Sequence, residues 1–224
     1  MDRKQMKRRT MPRSWPLPSK IITFVVKPRA GKGKERSIPL VVLLRDLLKE
    51  VKTFKEGKKV IRAGWIEVNG KIVREERFPI ALFDRVSIEK LKKYFTITLN
   101  QLGKIQIKEI SEKQYLLKPT KVIGKKPLKK NKLQINLLDG FNLILNKEKV
   151  KVGDTVIINL KNKKIEKILS LKKDAKVYLI KGKNVGKIAT VLDVNKKIVE
   201  IELEKEKKKM SYENLIVIDE NEIK

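Results

Sequence analysis

Lys55, Lys58, Lys59 and Arg62 stand at i, i+3, i+4 and i+7, the spacing that lines one face of a helix. Arg45, Lys49 and Lys52 form a second such row at i, i+4 and i+7. Like charges so arranged cost a helix stability. One row alone reads as a solvated face, but two rows of one sign point to an anion opposite them. The chemistry on offer is neutralisation of phosphates, with release of their condensed counterions. Gly182-x-Asn184-x-Gly186-Lys187, with Lys183 inside it, offers the same chemistry in another form. Its glycines let backbone approach a phosphate while Lys183 and Lys187 supply charge. The plainer reading is a Gly-rich hairpin loop with two solvated lysines. A nucleotide-binding P-loop is excluded, because three residues rather than four separate the glycines and Ile188 follows the lysine. "AGKGKER" (30–36) fails the same pattern.

The whole chain has the same bias. Its 224 residues hold 56 Lys plus Arg against 26 Asp plus Glu, a formal net charge of +30. Such a chain repels itself unless a polyanion neutralises it, and nucleic acid is the leading partner. The longest apolar run, "IPLVVLL", is far short of the roughly 18 residues that span a bilayer. "MDRKQMKRRT" has no apolar stretch behind it and does not read as a signal peptide, so the expected location is the cytoplasm. Without His or Cys there is no zinc finger, no Cys nucleophile and no His base. The carboxylates converge nowhere visible. Asp46 reads as a solvated helix residue, and Asp139 and Asp154 sit at turns, where Asp serves the backbone. The expectation is a non-enzyme with no cofactor, no metal and no small-molecule substrate.

These residues need elements to position them. Residues 1–39 read as an arm, with twelve cations against Asp2 and Glu35. "MPRSWPLPSK" favours extended backbone, and only "IITFVV" (21–26) suggests a strand. The arm is either a solvated tail or, as its charge density favours, a segment that orders on RNA phosphates. In that second reading Arg8, Arg9, Arg13, Lys20, Lys27, Arg29, Lys32, Lys34 and Arg36 meet phosphate, and Trp15 stacks or anchors. Leu40, Leu43, Leu44, Leu47, Leu48 and Val51 predict a helix over 40–51. A second helix is predicted over about 54–63, opened by the box Thr53-x-x-Glu56, interrupted by Gly57 and stopped at Gly64. Trp65, Ile66 and Val68 read as packing strand residues. Asn69-Gly70 makes a hairpin turn, Lys71 adds a charge facing RNA, and "DRVSI" (84–88) is another strand.

From 94 to about 169 the pattern is all strand, including "FTITLN", "KIQIKEI", "QYLLKPTKV" and a hairpin turning at Asp139-Gly140. "KVYLIKGKNVGKIATVLDVNKKIVEIEL" (176–203) reads as strand, loop, strand, turn and strand. "EKEKKKM" reads as solvated surface, and "NLIVI" as a closing strand.

Two helices followed by "RAGWIEVNGK" and Asp84-x-Val86-x-Ile88 resemble the S-four-type RNA-binding domain; the family pattern often has Gly before that Asp, where this chain has Phe83. Residues 176–203 resemble the KOW motif. The order of parts carries more than any one of them: "PRSWPLP", "PLVVLLRDLL", "RAGWIEVNGK", "NLLDG", "GDTVII", then the KOW-like segment closing on "ENLIVI". That order resembles the archaeal and eukaryotic-type small-subunit ribosomal proteins of the S-four-e family. The resemblance implies a non-catalytic constituent of the small ribosomal subunit that binds ribosomal RNA beside neighbouring ribosomal proteins. It also implies a multidomain, mostly β chain with a small α+β module. The parts would be a basic arm (1–39), the S-four-type domain (40–91), a central β-barrel or sandwich (92–172), a KOW, SH3-like barrel (173–219) and a tail (220–224). The alternatives are a KOW-containing transcription factor and an accessory to an RNA-modifying enzyme.

Overall fold

The computed structural model describes residues 5–18, 20, 22–129, 132–146, 150–195, 198–204 and 206–219. Ile21 of the expected first strand, Lys196 and Lys197 of the expected turn, and the 220–224 tail lie outside them, as does the side chain of Lys34. The chain forms two units, Met1–Leu99 with Lys104–Leu116, and Asn100–Gly103 with Leu117–Lys224.

The first unit takes in the segment that the sequence reads as an arm. Strand β1 (Gln5–Lys7) pairs antiparallel with β2 (Phe24–Val26), setting Met6 opposite Val25, and both side chains are buried. Trp15 is only 2% exposed, and its indole N–H donates to the Ser37 carbonyl at 2.9 Å. The Ser14 carbonyl accepts from the Ile105 N–H at 2.7 Å. An arm weighed alone lacks apolar area to bury. Packed on a neighbouring core, one Trp supplies a large share of what was missing. β3 (Ser37–Pro39) follows, and all three of its residues are buried.

Helix α1 (Leu40–Val42) widens into a π turn over Leu43–Leu47, with the Leu48 N–H on the Leu43 carbonyl at 2.9 Å. Lys49 then takes φ 57°, so the helix expected to reach residue 51 has already ended. α2 (Phe54–Arg62) matches its sequence signals. The Thr53 hydroxyl accepts from the Glu56 N–H at 3.2 Å. The Glu56 carboxylate reaches back to the Lys52 N–H at 2.9 Å. Gly57 marks the place where α2 meets α1. A Cβ there would stand 3.0 Å from Val41 Cγ2 and 3.3 Å from Val51 Cγ2.

β4 (Ile66–Val68) and β5 (Lys71–Ile72) form the predicted hairpin, with Asn69 at φ 53° and Gly70 at φ 71°. β6 (Pro79–Ala81) pairs with β3. β7 (Arg85–Ile88), β8 (Lys93–Leu99) and β9 (Ile105–Ile110) complete an antiparallel sheet of order β5-β4-β7-β8-β9. Buried Asp84 holds this hairpin from behind. It accepts from the Ala81 N–H at 2.7 Å, the Asn69 amide at 2.9 Å and the Lys32 ammonium. Phe83, just before it, is buried and adopts φ 60°, a conformation that glycine takes freely and a bulky side chain does not. "QYLLKPTKV" departs from its all-strand reading. Ser111 and Gln114 cap each other reciprocally and start a short helix, α3 (Glu112–Leu116).

The second unit holds two five-stranded antiparallel sheets. The first has the order β12-β11-β10-β13-β14, formed by β10 (Leu117–Leu128), β11 (Lys132–Leu137), β12 (Asn142–Asn146), β13 (Thr155–Asn159) and β14 (Ile165–Leu169). The predicted hairpin at Asp139-Gly140 is there, pairing Leu133 with Leu145 and Ile135 with Leu143. The second sheet has the order β18-β17-β16-β15-β19, formed by β15 (Lys176–Leu179), β16 (Ile188–Asn195), β17 (Ile198–Leu203), β18 (Glu206–Ser211) and β19 (Leu215–Val217). The Glu/Lys run read as mere solvated surface is the edge strand β18. Its Lys207 and Lys209 lie opposite Glu202 and Glu200 of β17, an arrangement that favours pairing and discourages edge-to-edge aggregation.

Candidate nucleic-acid interface

Helix α2 presents the clearest row of cations. Ile61 and Gly57 face the core, so the helical period turns Lys55, Lys59 and Arg62 outward, where all three are exposed. None of the three has a carboxylate partner among the described residues, whereas Lys58 lies 3.9 Å from Glu76. Lys59 and Arg62 fall in the last turn, where the helix dipole offsets part of their mutual repulsion.

The second predicted row does not form. The π turn and the left-handed Lys49 take Arg45, Lys49 and Lys52 off a common helical face. Arg45 instead pairs with neighbouring Asp46 at 2.8 Å, while Lys49 and Lys52 are exposed.

The cations of the N-terminal segment divide. Arg9, Arg13 and Lys20 are exposed. Arg29 is exposed beside Glu75 at 3.5 Å, Lys27 is half-buried, and burial of half-exposed Arg36 lowers its pKa. Arg8 is 5% exposed and donates to the Pro18 carbonyl at 2.6 Å. Lys32 turns inward to Asp84. Trp15, Arg8 and Lys32, which the sequence reading gave to RNA, thus each meet a partner inside the chain. The reason is shared: the segment folds.

In the glycine loop, Gly182 and Gly186 take φ 96° and 82°, and the Gly186 N–H donates to the Leu179 carbonyl at 2.9 Å. Lys183 points out as an exposed side chain. Asn184 is half-buried, and Lys187 pairs with Glu204 at 2.7 Å. Lys71 is exposed at the Asn-Gly turn.

Two lysines escape sequence reasoning because they are buried. Lys118 pairs with Asp139 at 2.5 Å, both side chains nearly inaccessible, so Asp139 does more than shape its turn. Lys121 donates to the carbonyls of Tyr212 and, at 2.8 Å, Leu215, and its ammonium stands 5.0 Å from the Tyr212 ring. Burial drives its pKa down to about 8, partly opposed by Glu213. Residues 118–122 are all buried, and a spacing of three sets the two lysines on opposite faces of β10, so strand alternation alone does not mark them as inward.

The descriptions of known proteins agree with this architecture. Residues 91–165 match the model of ribosomal family S4e. The small ribosomal subunit protein eS4 of Nanoarchaeum equitans is 32% identical over 219 residues, covering 94% of this chain and 93% of that protein. The protein of the same name from Archaeoglobus fulgidus is 34% identical over 185 residues, covering 83% and 77%. Among solved structures, the 30S ribosomal protein S4e of Thermoplasma acidophilum superposes with a TM-score of 0.71 at 23% identity, covering 83% of this chain and 96% of that one. Similarity at this level over nearly the whole length leaves one assignment: the chain belongs to ribosomal family S4e.

Proposed function

We propose that this chain is a non-catalytic structural constituent of the small ribosomal subunit, held in the cytoplasm by ribosomal RNA and by neighbouring ribosomal proteins. The observation that carries the reading is the outward row of Lys55, Lys59 and Arg62 on α2, without carboxylate partners among the described residues, in a chain of net charge +30. Exposed Arg9, Arg13, Lys20, Lys71 and Lys183 extend the same chemistry. The names of the relatives support it.

Within this reading, residues 40–91 act as the S-four-type domain, supported by two helices leading into the Asn69-Gly70 hairpin. The sheet β12-β11-β10-β13-β14 is the central β domain expected within 92–172. Residues 173–219 act as the KOW, SH3-like barrel, supported by the glycine loop between β15 and β16. Recognition rests on the RNA backbone and its shape, since the deep groove of A-form helices hides base edges. With roughly 6–10 phosphate contacts, affinity falls about a thousandfold or more between about 50 and 200 mM salt.

The test is binding of the full chain to transcribed small-subunit ribosomal RNA across a salt series, with pull-down from extract. Steep salt dependence and co-purification with small subunits are the expected results. Co-purification with RNA polymerase instead would overturn the reading in favour of a transcription factor.

A further inference from the structure

The two tryptophans exchange the roles that the sequence suggests for them. Trp15 is sealed in the core, whereas Trp65 is half-buried and stands outside the apolar cluster of the first unit. Strand alternation accounts for this: Ile66 and Val68 of β4 point into that cluster, so Trp65 and Glu67 take the opposite face. The ammonium of Lys90 sits 3.5 Å from the centroid of the indole ring. Gly64, next to Trp65 at φ 80°, has no side chain, and the space a Cβ would occupy lies 3.7 Å from the Arg74 guanidinium and 3.3 Å from Ile72 Cγ2. Ile72 is 53% exposed, and exposed Arg62 ends α2 two residues before Gly64. Lys90 and Arg74 carry no carboxylate partner among the described residues.

An indole face, an apolar floor and two cations are the groups that hold a nucleobase taken out of its stack. The ring stacks on the base, and the cations meet the flanking phosphates. The cation over Trp65 ends a long, exposed lysine side chain that can swing aside, and its attraction to the ring is matched or exceeded by base stacking. Glu67 shares this face but accepts from the Tyr115 hydroxyl at 3.2 Å, and the cations over and beside the ring suit a polyanion.

We propose that Trp65, flanked by Lys90 and Arg74, is a socket for one unpaired nucleobase of the bound RNA. The proposal rests on the RNA-binding reading above and adds base stacking to its phosphate contacts.

The experiment compares the full chain on two synthetic RNAs, a fully paired stem and the same stem with a single-nucleotide purine bulge, at matched salt. The bulged RNA should bind roughly five- to a hundredfold more tightly and quench indole fluorescence. Trp65→Leu should abolish both the preference and the quench while leaving paired-stem affinity and the salt slope unchanged. Trp65→Phe should retain part of the preference, and Lys90→Gln should keep it while flattening the slope by about one. Melting curves confirm that each variant is folded. A bulge preference that survives Trp65→Leu overturns the socket and leaves the RNA-binding reading intact. Failure of the wild-type chain to bind either RNA at low salt overturns both.

Discussion

The lysines of β10 and the cations of α2 are the same chemical groups put to opposite uses. On β10, Lys118 and Lys121 are drawn inside and satisfied there, one by a carboxylate and the other by two carbonyls. On α2, Lys55, Lys59 and Arg62 are held out, without carboxylate partners among the described residues. A residue count treats all five as one contribution to +30. The fold divides them into charges that specify the protein and charges available to something else. The N-terminal segment divides internally, with Arg8 and Lys32 inside, and Arg9 and Arg13 outside.

The comparison predicts that damage inside shows up as lost stability and damage outside as lost salt dependence. Lys118→Ala, which strands the Asp139 carboxylate, should cost about 3–5 kcal/mol in denaturant unfolding. Restoration by the further change Asp139→Leu would confirm that stranded charge is the cause. Trp15→Ala should cost a similar amount, roughly 3–5 kcal/mol. Removal of residues 5–36 should therefore unfold the first unit, and a deletion variant with native circular dichroism would break the comparison at the N-terminal segment.

Lys121→Met should cost less, about 1–3 kcal/mol, for carbonyls left without a donor. Its effect also depends on pH. The folded pKa of Lys121 lies below its ordinary value, so between pH 8 and the ordinary lysine range the unfolded chain binds more protons. This group's penalty is thus present in full below pH 8 and is relieved as pH rises, and the wild type should gain on Lys121→Met across that window. A flat difference would mean that the ammonium is not desolvated.

The smallest effect on stability belongs outside. Glutamine at Lys55, Lys58, Lys59 and Arg62 together should leave unfolding within about 1 kcal/mol. The same change should lower the salt slope of RNA binding by about three. A collapsed melting temperature with an unchanged slope would reverse the comparison outright.

How far the sequence revealed this depended on how local each signal was. The capped α2, the Asn69-Gly70 turn and the Asp139-Gly140 hairpin were readable because each is decided within a few residues. The N-terminal segment was not, because Trp15 finds Ser37 and the Ser14 carbonyl finds Ile105 only once distant strands have assembled. The π turn that dissolves the second basic row is likewise invisible to a 3.6-residue template. In "LLKPTKV" the inward lysines broke the expectation that charge faces water, since their carbonyl and carboxylate partners lie far along the chain. For Trp65 the signal was present, because strict alternation with Ile66 and Val68 already put it on the other face. Large apolar surface suggests packing, whereas alternation sets Trp65 on the face away from Ile66 and Val68.

Gly57 carries a consequence that no count of charges would register. With 3.0 Å between an added methyl and Val41, the angle at which α2 leaves the core is set by an atom that is missing. Alanine there would keep every lysine and arginine, and by helix propensity alone would favour the helix. It would also act as a wedge, tilting the row of cations away from its original line. Mutation can thus misdirect this surface without discharging it, and a lineage that keeps the charge composition of α2 can still lose its aim through one methyl group.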